Sequence, residues 1–253
     1  MVETGVNIQV QALARGLRIL ALLRDRGPLS LIEIAALLGM HKSTIHRLSN
    51  TLCDLGFAER DADSQKYSLS LELLTYGRRV INDLPLRRVA IPNLERLQRA
   101  SGEPVLLSTL HQGMVLWLEI VRPVWRTYQS AWGGQMSYAH CTSAGKAMLA
   151  YLPPEEVEAI CRTRDLPKQT DSTITDFAAL LEDLAQTRER GYSLDRCENV
   201  AKLCCIGSPV FGDGDKVLGA VSVQFSLEQF RDGAHLPVVP LLRQACQDVS
   251  RSL

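Results

Sequence analysis

Apolar residues between Leu29 and Gly56, in LSLIEIAALLGMHKSTIHRLSNTLCDLG, fall on two short stripes at helical spacing with a glycine between them. Ile34, Leu37 and Leu38 make the first stripe. Ser30 with Glu33 forms a capping box, Leu29 and Ile34 occupy its hydrophobic staple, and Gly39 stands where a left-handed residue ends a helix. Ile45, Leu48, Leu52 and Leu55 make the second stripe, which predicts a helix from Lys42 to Leu55 with those residues on its buried face. Ser43, His46, Arg47 and Asn50 then point outward. No acidic residue lies between Glu33 and Asp54, whereas Lys42, Arg47 and two histidines do, so the outer face approaches phosphates without repulsion. The pattern predicts a recognition helix that presents Lys42, Ser43, Thr44, His46, Arg47 and Asn50 to the major groove of DNA. FAER, the turn DADSQ and KYSLS follow as two short alternating strands, the wing of a winged helix-turn-helix, with Arg60, Gln65 and Lys66 at its tip. An ordinary helical hairpin with a solvated outer face matches the helices alone. It does not match the order helix, helix, recognition helix, wing.

Upstream, Leu13, Leu17, Leu20 and Leu23 predict a supporting helix over 8–26 that ends at Gly27-Pro28, with Arg15 and Arg18 on its polar side. Downstream, LELLTYGRRVIND predicts a linker helix over 71–83, and a second helix is expected from about Pro92, a good first-turn residue, to Ala100. The period then changes. PVLLSTL, HQG and MVLWLEIV predict a strand hairpin, with WRTYQSA continuing extended. In YAHCTSAGKAMLAYLPP, Thr142 or Ser143 is positioned to cap a helix through Ala144 to Leu152. A further helix is expected from about Asp176, after a cap at Thr175, to Gly191. GYSLD, LCCIGSPVF and KVLGAVSVQFS read as strands, and PVVPLLRQACQDVSRSL closes the chain as a helix. The fold class is therefore α+β: a winged helix-turn-helix at 1–70, a linker helix at 71–84, and a domain at 85–253 with a largely antiparallel sheet.

Composition adds limits. The 253 residues balance 28 Lys/Arg against 28 Asp/Glu, and residues 1–80 carry ten basic and eight acidic side chains, so DNA binding depends on a local patch and not on bulk charge. Seven cysteines with no CxxC pair, and no charged-then-apolar leader, fit a reduced cytoplasmic protein. No apolar run approaches the roughly 20 residues that span a bilayer. Cys204 and Cys205, adjacent on a strand, face opposite ways and read as structural thiols.

The run ALARGLRIL, LSLIEIAALLGMHKSTIHRL, KYSLSLELLTYG, HCTSAGKAML, RERGYSLD and CCIGSPVF, in this order, resembles the IclR family of bacterial transcriptional regulators, and the resemblance covers nearly the whole chain. It implies a winged-helix DNA-binding domain, a linker helix and a GAF-like effector-binding domain. It also implies a dimer or dimer of dimers on a palindromic double-stranded operator, controlling a catabolic operon. The effector it implies is a small organic acid, held by backbone N–H groups at Ser143 and Ala144 and by polar side chains of Asp195, Cys205, Ser222 and Gln224. Ser222 and Gln224, two apart, share one strand face. Two departures bear on the pocket: relatives that bind carboxylates often carry a second serine in place of Gln224 and an acidic pair in place of Cys197-Glu198. Arg126 and Gln129 are further candidate contacts. No cofactor and no membrane partner is expected.

Three rival classes share these residues. Ser143 and Lys146 match the S-x-x-K nucleophile motif, but no SDN or KTG companion is present, and a helix-capping serine accounts for it. His140-Cys141 with Cys197, Cys204 or Cys205 offers zinc-type donors without diagnostic spacing. A sensor that binds only a protein partner is the third.

Overall fold

The computed structural model describes residues 9–124 and 131–253, in two compact units that divide between Asn82 and Asp83. In the first, α1 (Gln11–Arg26), α2 (Leu31–Leu38) and α3 (Lys42–Asp54) precede β1 (Ala58–Arg60) and β2 (Tyr67–Leu69), and α4 (Glu72–Asn82) follows. The capping box forms as its residues require: the Glu33 N–H donates to Ser30 Oγ at 3.3 Å, and the Ser30 N–H donates to Glu33 Oε2 at 2.7 Å. Gly39 turns the chain in the left-handed region at φ 62°. β1 and β2 pair antiparallel with Arg60 opposite Tyr67, which makes the wing. The core of this unit is Ile19, Leu23, Leu29, Ile34, Ile45 and Tyr67.

Two faces differ from expectation. On α1 the buried residues are Gly16, Ile19 and Leu23, while Leu13 is 61% and Leu17 55% exposed. The helix carries two apolar stripes, and only the one containing Ile19 meets α2 and α3. On α3, Ser49 is buried and Leu55 is 64% exposed. Leu55 sits at the C-cap with ψ near 0°, and Gly56 then turns at φ 78°, so its side chain has left the phase set by Ile45.

The second unit is a six-stranded sheet ordered β5-β4-β3-β8-β7-β6, antiparallel at every pairing. Its strands are β3 (Val105–His111), β4 (Met114–Val121), β5 (Met136–Tyr138), β6 (Ser193–Arg196), β7 (Leu203–Phe211) and β8 (Val217–Ser226). One face packs under α5 (Pro85–Ser101) and the closing helix α10 (Val238–Ser250), burying Leu94, Leu107, Ile206, Val221, Val223 and Leu242. The other packs under α6 (Ser143–Leu149), α7 (Pro154–Arg164) and α8 (Phe177–Arg190), with Leu106, Val115, Ala147 and Leu180. A short α9 (Leu227–Arg231) follows β8.

α5 begins seven residues before the expected start and holds Pro92 in its interior. An interior proline costs about 3 kcal/mol. Leu86 and Ala90, on the turns before it, are buried against the sheet, and burial of one such leucine contributes about 1.5–3 kcal/mol. Tertiary packing thus outweighs the local breaker. α6 ends at Leu149 instead of Leu152, and α8 is capped by Asp176, whose carboxylate accepts the Ala179 N–H at 2.8 Å, one residue after the expected Thr175.

Candidate DNA-binding face and effector pocket

On the recognition helix α3, Lys42, Ser43, His46 and Arg47 are exposed. Thr44 and Asn50 are half-buried. Asn50 corrects the sequence expectation: its Oδ1 accepts from the Tyr67 hydroxyl at 3.4 Å and its Nδ2 lies 3.4 Å from His46 Nε2, so it braces the helix against the wing instead of pointing freely outward. The wing also departs from a simple tip. Arg60 lies at the strand end with its guanidinium 5.3 Å from the Tyr67 ring centre, and Gln65 bends back to donate to the Ala62 carbonyl. Lys66 is exposed beside them. Lys42, Arg47, Arg60 and Lys66 are exposed cations available to phosphate.

In the second unit, strand register assembles a polar row. Asp195 on β6 pairs with Cys205 on β7, which pairs with Gln224 on β8. Two residues along, Ser193, Gly207 and Ser222 make the next row. Period-2 alternation turns both rows to the sheet face under α6. Asp195, Cys205, Gln224 and Ser222 from these rows line a cavity of about 30 Å³ with Ser143, Thr142, Trp117, Leu106, Asn199 and Leu203. That is room for roughly two water-sized groups, at about 10–15 Å³ each on this measure.

The approach of α6 to the sheet depends on Gly207. A Cβ there would stand 2.7 Å from the Ser143 backbone, and the Ser193 hydroxyl donates to the Ser143 carbonyl at 2.5 Å. Thr142 caps the helix by accepting the Gly145 N–H at 3.1 Å. The backbone N–H groups of Ser143 and Ala144 take no partner among the described residues.

A buried charge cluster adjoins this cavity. Lys146, 0% exposed, places Nζ 2.7 Å from Glu198 Oε1 and 3.1 Å from Asp183 Oδ2, and Arg190 stands 3.6 Å from Asp183 Oδ1. Two cations face two carboxylates. The Glu198 N–H donates to Asp195 Oδ1 at 2.7 Å, which ties the cluster to the polar row. Burial pushes the Asp195 carboxyl up to about 7; the N–H bond from Glu198 pulls it down, the Glu198 carboxylate pushes it up, and the Lys146 ammonium pulls it down. Burial raises Glu198 as well, against the pull of Lys146. Burial holds the Cys205 thiol well above its usual range, with the Asp195 charge adding to it.

Of the residues expected to hold an effector, Ser143, Asp195, Cys205, Ser222 and Gln224 line this cavity. Ala144 is buried in the core beneath α6, so its side chain is not part of the lining. Arg126 and Gln129 lie outside the described residues. Sequence reasoning missed Trp117, Thr142, Asn199, Val200 and Leu203, of which only the strand alternation at Trp117 carried a signal. Lys146, read beside Ser143 as S-x-x-K, is instead engaged by two carboxylates. His140 Nε2 lies 3.3 Å from the Pro167 carbonyl, and among the described residues no group of three or more His, Cys, Asp or Glu could hold a metal. Among them too, no helix is long and apolar enough to cross a membrane.

A basic helix-turn-helix with its wing, joined to an antiparallel sheet that walls a small polar cavity, defines a DNA-binding transcriptional regulator. The chain belongs to the IclR family: residues 12–62 match the IclR helix-turn-helix domain and residues 78–251 the bacterial transcriptional regulator IclR C-terminal domain. It is 35% identical over 220 residues to the transcriptional regulator BhcR of Paracoccus denitrificans, covering 85% of this chain and 77% of that one. It is 28% identical to the regulator KdgR of Escherichia coli, covering 100% and 97%. Among solved structures, an IclR regulator from Alicyclobacillus acidocaldarius superposes with a TM-score of 0.83 at 25% identity, covering 97% of this chain and 99% of that one. An IclR homologue from Microbacterium hydrocarbonoxydans complexed with 4-hydroxybenzoate gives 0.80 at 28%, covering 96% and 99%.

Proposed function

We propose that this regulator binds a palindromic operator as a dimer or dimer of dimers, controls a catabolic operon in the cytoplasm, and responds to a small organic acid. In this reading 1–70 binds DNA, 71–84 links, and 85–253 senses. Lys42, Ser43, Thr44, His46 and Arg47 contact the operator, with Asn50 holding the helix and Arg60 and Lys66 reaching the flanking backbone. The effector lies on Asp195, Cys205, Ser222 and Gln224, with its carboxylate on the N–H groups of Ser143 and Ala144; Arg126 and Gln129 complete the site from the segment between β4 and β5. The observation that carries the reading is the polar row that lines the cavity beside Ser143, whose backbone N–H, like that of Ala144, takes no partner among the described residues. A homologue complexed with an aromatic acid supports the ligand class. Self-association is supported by apolar side chains left uncovered on α1 and on and beside α4: Leu13, Leu17, Leu74 and Val80 are all more than half exposed, and α4 buries no residue at all.

Selection of bound DNA from a random pool at two salt concentrations tests the first half. An enriched palindrome is expected; salt-sensitive, sequence-blind binding would contradict it. Calorimetric titration with small acids against their amides and esters tests the second, and equal affinity for the uncharged analogues would remove the anion site. Asp195→Ala is expected to spare operator binding and blunt the ligand response.

A further inference from the structure

The pocket combines an acid effector with an acidic wall. Among the described lining residues the only charged type is Asp195, 4% exposed, and none is Lys, Arg or His. The titratable groups around Asp195 are Glu198 on the loop after β6, Lys146 on α6, and the thiols of Cys141, Cys204 and Cys205. Lys146 is the one cation of this set, and Glu198 and Asp183 already engage it, at 2.7 and 3.1 Å. Arg190 is spent on Asp183. Among the described residues two cations balance two carboxylates, and Asp195, the third carboxylate, forms no salt bridge. An anionic ligand laid on the same row would add a fourth negative charge in a buried site, at a cost that a pair of N–H groups does not offset. With the charges of the described residues alone, one of the acids has to be neutral when the pocket is occupied.

We propose that Asp195 meets the effector carboxylate as the neutral acid and donates its proton in a hydrogen bond, so that each binding event fixes one proton in the pocket. This rests on the acid-effector reading above. Asp195 then acts as a donor that tells a carboxylate from a cation or an amine, and the regulator reads acid concentration and pH together. Burial has already moved the group most of the way, since in the empty protein it titrates at about 7. Above that pH the proton comes from solution, and affinity falls about tenfold for each pH unit; below about pH 6 it is already in place, and affinity is flat.

The test is calorimetry on the full-length protein with glycolate, lactate, pyruvate and 4-hydroxybenzoate, in phosphate and in Tris, at pH 6 and pH 8. The two buffers differ in ionisation enthalpy, so the difference in apparent binding heat counts protons. Uptake of about one proton at pH 8 and close to none at pH 6 is expected. Asp195→Asn keeps a neutral donor and an acceptor for the Glu198 N–H; it is expected to bind the same acid with pH-independent affinity, about tenfold tighter than the parent at pH 8. An acid that binds the parent with no proton uptake at pH 8, as one held by Arg126 would, overturns the inference and leaves the acid-effector reading intact. Failure of every acid to bind at pH 6, where Asp195 is protonated, overturns both.

Discussion

Replacing Lys146 by Met removes one charge from the most buried ionic cluster among the described residues while keeping its length and apolar stem. The ammonium lies within 3.1 Å of two carboxylates, each under a tenth exposed. Loss of one partner from a buried pair costs about 3–5 kcal/mol, because the remaining charge is left uncompensated. Here two carboxylates lose their cation, and Arg190, at 3.6 Å, helps only Asp183. For a unit of 83–253, each kcal/mol shifts the melting temperature by about 2–4 °C, so a drop on the order of 10 °C is expected. All three tryptophans, Trp117, Trp125 and Trp132, belong to this unit, so fluorescence melting reports it without interference from the helix-turn-helix. The deficit depends on pH. Glu198 is already raised by burial and loses the downward pull of Lys146 in the variant. A carboxyl whose folded value is raised favours the native state below its unfolded value, and the benefit is lost as pH rises through the folded value. The variant is therefore closest to the parent in acid and furthest from it at neutral pH. Adding Glu198→Gln removes one of the two stranded charges and is expected to recover part of the loss. A melting shift under about 2 °C at pH 7, with no rescue by Glu198→Gln, would refute the ionised cluster.

Asp195 itself makes stability fall with pH: its proton is held to about 7 in the folded chain and to about 4 in the unfolded one, a difference of roughly 4 kcal/mol at 1.4 kcal/mol per unit. Denaturant titration of the parent and of Asp195→Asn at pH 4 and pH 8 checks this, and the variant is expected to gain on the parent at the higher pH. Gly207→Ala puts a Cβ 2.7 Å from the Ser143 backbone; overpacking of this kind costs about 1–3 kcal/mol, and calorimetry is expected to show acid binding weakened or lost as α6 lifts from the sheet. Arg47→Ala removes an exposed cation from α3 and is expected to weaken operator binding and lower the salt dependence by about one counterion in a filter or anisotropy titration, with melting unchanged.

What was legible in the sequence was local. Ser30 and Glu33 satisfy each other across one turn, Gly39 needs only its own backbone, and alternation along GYSLD, LCCIGSPVF and AVSVQFS turns Asp195, Cys205, Ser222 and Gln224 to one side. What escaped was decided at long range. α1 offers two apolar stripes of similar quality, and its neighbours choose the one with Ile19. Pro92 looks like a helix start until Leu86 and Ala90 are seen against the sheet. Thr175 and Asp176 are both good caps, and only the geometry selects Asp176. Lys146 and Glu198 are 52 residues apart, and nothing in either neighbourhood announces that they meet.

The position of α6 joins these facts. Its first residue lines the pocket, its fourth carries the buried ammonium, and the same Glu198 that receives this ammonium donates its N–H to Asp195. Asp183, the other partner of Lys146, belongs to α8. A change of charge or contact at Asp195 is therefore felt one hydrogen bond away by Glu198, two contacts away by α6 and three by α8. Such a network is costly to bury, and the sheet face could hold α6 with apolar packing alone. Its retention is explained if the cluster holds the loop of Glu198, Asn199 and Val200 in place over the ligand. A ligand moves an equilibrium only by binding one arrangement better than another. In the proposed mode Asp195 gains a proton as the ligand binds, and Glu198, bonded both to Asp195 and to Lys146, carries that change of charge into the cluster, which supplies a difference in affinity at the point where the ligand arrives.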